Sequence, residues 1–271
     1  MKSLQLLAGA VGVAVILLTM QDRGYGQVGR GGTQANQAPP SAKAAAPFDA
    51  TGYWVSVITN NWRFRMVPPA KGDYAGIPIS VAGKKIADAW DPARDEAAGN
   101  QCKYYGAGSI MYQPTRIHVT WQDDNSLRMD IDAGTQTRLF RFGNRTAPQG
   151  KPTWQGNSVA VWEARRANNA GRGNNGGRGN NAPAPSARYL KVTTTNMLPG
   201  YLRKNGVPYG EGTLLTEYYD LFQERDGTTM LIVTAVVQDS VNLEQRYIVI
   251  SHFKKEPDGA KWDPTPCSAR W

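Results

Sequence analysis

Side chains that could move protons or hold a ligand fall into two groups along this chain. The first lies on segments that alternate polar and apolar residues. Residues 116–123 (RIHVTWQD) set His118, Thr120 and Gln122 against Ile117, Val119 and Trp121. Residues 126–132 (SLRMDID) set Arg128, Asp130 and Asp132 against Leu127, Met129 and Ile131. Such alternation marks a half-buried strand, in which residues two apart share a face. Asp123-Asp124-Asn125 supplies turn chemistry between the two runs, so they are predicted to pair as a hairpin with neighbouring polar faces. Glu217 and His252 alternate with apolar neighbours on later runs, and Arg138 precedes both in the chain. If this polar face lines a concave interior, His118, Asp130, Asp132, Glu217 and His252 form an acid–base set with Arg138 as its cation. A hydrolase, lyase or isomerase would use such residues. If the face points outward, it is the wet side that antiparallel sheets commonly show. Asp130 and Asp132 would stand about 6.5–7 Å apart, close to the roughly 6.5–9.5 Å between the carboxyls of inverting glycosidases. Eight Trp and twelve Tyr could stack on sugars, yet a glycosidase pair flanks a cleft rather than sharing one strand.

The second group is aromatic. Tyr53, Trp54, Trp62 and Phe64 crowd the opening segments, with Arg63 and Arg65 between them. Core packing accounts for most of these rings. The functional alternative is an apolar ligand cavity with a few polar anchors, for which Trp54, Trp62, Arg63, Arg65 and Arg138 are the candidate binding residues. Arginine among aromatics suits an anionic head group on an otherwise apolar molecule. No G-x-S-x-G elbow and no phosphate-cradling Gly loop is present. Ser251 and His252 are adjacent, so on a strand they face opposite ways and cannot form a dyad. With two His and no Cys/His cluster at ligand spacing, neither a metal nor another cofactor is expected.

The elements that must position these residues are mostly strands. Strand patterns cover 52–59, 62–67, 116–123, 126–132, 135–142, 159–163, 189–195, 214–223, 230–238 and 246–254. Short links such as Arg225-Asp226-Gly227 predict a mainly β, mostly antiparallel meander closing into a barrel or folding into a sandwich. Helix is expected only before Cys102, over 80–90 with Ser80 as cap and again from Asp91-Pro92 to Gly99.

Residues 1–26 read as a signal peptide, with Lys2 followed by the apolar run 6–20. That run is shorter than the roughly 20 residues of a comfortable membrane span, so no stable span is expected after cleavage. Residues 27–46 read as a disordered lead-in, and 47–271 as one β domain interrupted by a disordered Gly/Asn/Arg loop at 164–188 that joins adjacent strands. The net charge of +9 concentrates in two places. Lys2, Arg23, Arg30 and Lys43 outweigh Asp22 in residues 1–46, and Arg165, Arg166, Arg172, Arg178 and Arg188 have no acid beside them in the loop. The rest is nearly neutral, so no nucleic-acid partner is expected. Export would let Cys102 and Cys267 join, closing a long loop worth about 4–5 kcal/mol in the chain-entropy model; two separate thiols are the alternative.

TGYWVSV (51–57), CKYYG…IMYQPTRIHVTWQDD (102–124), TQTRLFRFG (135–143), WQGNSVAVWE (154–163), LKVTTTNM…YLRKNGVPY (190–209), LLTEYYDLF (214–222) and HFKKEPDG (252–259) together resemble a group of signal-bearing bacterial β-rich proteins with no established activity. The resemblance implies export and a β-rich fold, and it brings no catalytic residue with it. Gly52-Tyr53-Trp54 also resembles the Gly-x-Trp of lipocalins, which implies a lipocalin-like barrel by analogy. The leading expectation is a periplasmic or secreted protein that binds a small apolar or amphipathic ligand. The alternatives are an exported enzyme built on the polar face, and an envelope or extracellular assembly component whose contact is the Arg-Gly-Asn loop.

Overall fold

The alternating patterns form strands wherever one face can be buried. A computed structural model describes residues 39–143, 150–164 and 188–270. Residues 1–26, read above as a signal peptide, most of the stretch read as a lead-in, and the Arg-Gly-Asn segment lie outside the described residues. In chain order the elements are β1 (Gly52–Val57), α1 (Trp62–Met66), α2 (Val81–Asp88), α3 (Pro92–Ala97), β2 (Arg116–Asp123), β3 (Ser126–Ile131) and β4 (Gln136–Phe142). They continue as β5 (Asn157–Ala164), β6 (Arg188–Thr195), β7 (Gly200–Tyr201), β8 (Pro208–Tyr209), β9 (Leu214–Gln223), β10 (Thr229–Gln238) and β11 (Tyr247–Glu256). Nine strands close into a barrel in the order β1-β11-β10-β9-β6-β5-β4-β3-β2, while β7 and β8 pair separately. Closure removes the sheet edges that would otherwise invite aggregation. The fold is therefore a barrel and not a sandwich.

The predicted hairpin is present, with His118 opposite Asp130 and Thr120 opposite Arg128. The strands on either side of residues 165–187 are neighbours, since β5 and β6 pair antiparallel from Asn157–Thr195 to Ala164–Arg188. One pair departs from the antiparallel expectation: β4 and β5 run parallel, with Phe140 opposite Ser158. Residues 143–156 connect these two strands, a longer link than an antiparallel hairpin needs.

Alternate residues fill the interior. Trp54, Ile117, Met129, Phe140, Tyr219, Leu231, Val233 and Phe253 are buried in one cluster, and the Trp54 indole donates to the Ala50 carbonyl at 2.9 Å. Each such ring or aliphatic side chain contributes about 1.5–3 kcal/mol on burial. A second cluster, including Ile77, Tyr112, Leu202, Val207, Tyr209, Val237 and Tyr247, covers one barrel end. The opposite end is closed by residues 41–50. There the Trp162 indole donates to the Ala42 carbonyl at 2.9 Å, and Phe48 packs edge-on against Trp162. The final residues assigned to the lead-in thus belong to the folded domain.

The helices follow their caps. Ser80 Oγ accepts from Gly83 N at 3.0 Å to start α2, and Asp91 Oδ1 accepts from Ala93 N at 2.9 Å ahead of Pro92 in α3. Residues 62–67, expected as a strand, instead contain α1. Asn61 adopts a left-handed conformation (φ 47°, ψ 30°) that turns the chain out of β1, and its carbonyl accepts from both Phe64 N and Arg65 N. The helix stops where Val67 becomes extended ahead of Pro68.

Candidate binding groove on the outer wall

The barrel register aligns four polar or aromatic side chains in one row across the outer wall. Tyr53 on β1 stands opposite His118 on β2, His118 opposite Asp130 on β3, and Asp130 opposite Thr137 on β4. Tyr53 and His118 stack face to face, with ring centroids 4.0 Å apart and planes 3° from parallel. Arg128, two residues from Asp130 on the same face, grips its carboxylate through Nε and Nη2 at 2.8 Å each, and Thr137 Oγ1 donates to it at 2.6 Å. Burial alone would raise the Asp130 pKa, but the bonds from Arg128 and Thr137 and the nearby His118 outweigh it and hold the carboxyl below its ordinary value. Asp130 is therefore an anchored anion with its oxygens engaged, which makes it a poor general base.

A strap formed by the C-terminal residues roofs this row. Trp262 stands edge-on to Tyr53 at 5.9 Å and to His118 at 6.3 Å. The strap is fixed just beyond Trp262. Thr265 N donates to the Asp132 carbonyl at 3.0 Å, and Thr135 Oγ1 donates to the Thr265 carbonyl at 3.0 Å. Beyond them Cys102 and Cys267 are joined in a disulfide with Cα atoms 5.1 Å apart. Between strap and wall lies a groove of about 280 Å³, lined by Tyr53, His118, Arg128, Asp130, Thr137 and Trp262. Its volume sits just under the range of about 300–1,000 Å³ for ordinary ligand clefts.

No family model, curated protein or solved structure matches this chain. The chemistry of the groove must be read from its own residues.

The structure gathers only part of the expected acid–base set. His118 and Asp130 meet in the groove. Asp132 follows the end of β3, is buried, and spends its carboxylate on Thr115 Oγ1 at 2.7 Å and Arg116 N at 2.8 Å. Glu217 lies inside the barrel, where Arg138 donates to it through Nη1 at 2.8 Å and through Nη2 at 2.5 Å. Both are essentially inaccessible. Burial opposes the Arg138 charge, but Glu217 and Tyr219 overcome it and push that pKa above its ordinary range. His252 sits elsewhere, on β11 opposite Val57, with its Nδ1 2.8 Å from Thr59 Oγ1. Burial and then Arg65 depress its pKa. The five candidate catalytic residues therefore occupy four separate environments. Closure of the barrel puts Arg138 on β4 and Glu217 on β9 inside, while His118 on β2 and Asp130 on β3 face out.

The expected binding residues scatter similarly. Trp54 belongs to the core because its parity in β1 points it inward. Trp62 is exposed on α1, Arg63 pairs with Asp73 at the surface, and Arg65 is buried. Arg138 is tied to Glu217. The interior pocket beside Glu217, Tyr112 and Ser251 measures about 10 Å³, room for one water at most. Sequence reading missed Trp262 and Thr137. The only hint of Trp262 was its place just before Cys267, which the disulfide draws onto the wall.

Proposed function

We propose that this protein binds a small amphipathic ligand, with one flat apolar face and a hydrogen-bonding edge, on its outer wall. The observation that carries the reading is the Tyr53–His118 stack closed edge-on by Trp262 beside the Arg128–Asp130 pair. Three rings offer a platform and a side wall for a planar or ring-shaped molecule, while Arg128, Asp130 and Thr137 present polar atoms at its edge. A carbohydrate ring has this character. The anchored Asp130 and the dispersal of the other ionisable residues favour binding over acid–base catalysis. The disulfide supports residence in an oxidising compartment, in keeping with the reading of residues 1–26 as an export signal. No described helix is long and apolar enough to cross a membrane.

Calorimetric titration of the full chain against neutral mono- and disaccharides and against small aromatic amphiphiles tests the reading. At least one compound is expected to bind, and Trp262→Ala to weaken it by up to about tenfold, the value of one aromatic contact of about 0.5–1.5 kcal/mol. Equal affinity in wild type and Trp262→Ala would remove the groove as the site.

A further inference from the structure

Apart from the groove, two guanidinium groups are buried with no carboxylate ion-paired to them among the described residues. Arg65 on α1 and Arg203 in the β7–β8 connection are 0% and 2% exposed. Arg65 Nε donates to the Tyr112 carbonyl at 2.8 Å, and Nη1 to Asn60 Oδ1 at 3.2 Å. Its Nη2 is buried with no hydrogen-bond partner. Arg203 Nη1 donates to the Ala75 carbonyl at 2.7 Å, and its buried Nε has no partner. The two groups occupy one cluster. Arg65 lies over the Tyr112 ring at 4.8 Å, Arg203 lies over the Phe64 ring at 4.1 Å, and the Tyr112 side chain feels both cations. Tyr247 lies within hydrogen-bonding reach of both Arg203 and Tyr112, and Tyr112 within reach of Asn61, though neither hydroxyl has a fully aligned partner.

The same chain shows how it treats a buried guanidinium that serves only packing. Arg138 receives Glu217 in a two-pronged ion pair. Among the described residues no carboxylate forms an ion pair with Arg65 or Arg203. Contacts with aromatic faces offset only part of the desolvation of a buried cation. The uncompensated charge registers on its surroundings: burial first, and next Arg65, lower the His252 pKa. Two forked donors with buried, unpartnered N–H groups, flanked by the hydroxyls of Tyr112 and Tyr247, describe a receptor for an anion.

We propose that Arg65, Arg203, Tyr112 and Tyr247 form a binding site for a small oxyanion, a carboxylate, sulfate or phosphate group. The site is distinct from the groove and does not depend on the reading of the groove. Thermal unfolding of the full chain in sodium phosphate, sulfate or acetate, against sodium chloride at matched ionic strength, tests it. At least one oxyanion is expected to raise Tm saturably beyond chloride, as a ligand of the native state must. A response to phosphate or sulfate alone marks a tetrahedral inorganic ion or ester; a response to acetate marks the carboxylate of an organic acid; both support the site. Arg203→Gln and Tyr247→Phe are each expected to weaken the apparent affinity at least fivefold. Tyr247→Phe keeps the ring and deletes only the hydroxyl, so it decides the matter even if Arg203→Gln does not fold. Equal effects of all salts, or unchanged affinity in Tyr247→Phe, would overturn the proposal.

Discussion

Among the described residues the most deeply buried ion pair is Arg138 with Glu217, in a setting where Tyr219 OH also donates to Glu217 at 3.2 Å and Arg138 Nη2 donates to Thr194 Oγ1 at 3.3 Å. Ser158 Oγ completes the group at 2.8 Å from Thr194 Oγ1. Such a network joins β4, β5, β6 and β9 through the barrel centre. A buried pair is worth little against an apolar replacement, but breaking it strands a charge. Glu217→Gln is therefore expected to cost about 3–5 kcal/mol in urea unfolding, while Arg138→Met with Glu217→Leu recovers most of that loss. A Glu217→Gln variant as stable as the wild type would show that the charge on Arg138 needs no partner. By sequence alone Glu217 falls with the polar acid–base face and Arg138 with the binding residues. On their strands Arg138 keeps step with Phe140 and Phe142, and Glu217 with Leu215 and Tyr219, and closure turns that face inward.

Among the elements, α2 is held by close backbone contact more than by side-chain burial. A Cβ at Gly83 would meet the Asn242 carbonyl oxygen at 2.5 Å and Ile79 Cγ1 at 3.0 Å. Ser80 reinforces the approach, since its N donates to the Asn242 carbonyl at 2.9 Å and its Oγ to the Val241 carbonyl at 2.6 Å. In an isolated helix Gly→Ala would gain about 1 kcal/mol. Here Gly83→Ala is expected to lower Tm, because overpacking against a backbone costs about 1–3 kcal/mol. Thermal unfolding decides the sign, and a raised Tm would mean that α2 shifts freely on the barrel. The caps of α2 and α3 were legible because Ser80 and Asp91-Pro92 act locally. α1 was not, because alternating aromatics and arginines imitate a strand until Asn61 turns the chain.

At the scale of the whole molecule, the disulfide ties two distant pieces of chain, 165 residues apart in sequence. Chain-entropy reasoning assigns such a loop about 5 kcal/mol. Replacing both Cys102 and Cys267 with Ser is expected to reduce stability by up to that amount. The same change is expected to weaken ligand binding in the groove, because the strap that carries Trp262 loses its covalent hold. Urea unfolding and calorimetry on the double variant measure the two effects separately. Retained affinity would show that the bonds between Thr265, Asp132 and Thr135 suffice to seat the strap.

The sequence by itself determined the strand pattern, the β2–β3 hairpin, the two helix caps and the pairing available to its only two cysteines. These depend on local periodicity, on turn chemistry or on a count of residues. Tertiary structure alone decided which polar residues meet. Closing β1 against both β2 and β11 sets Tyr53 beside His118, and the disulfide brings Trp262 over them from far along the chain. The inward turn of Arg138 and Glu217 separates them from His118 and Asp130 by the thickness of the wall. Alternation assigns residues to one face or the other, but only closure says which face is inside.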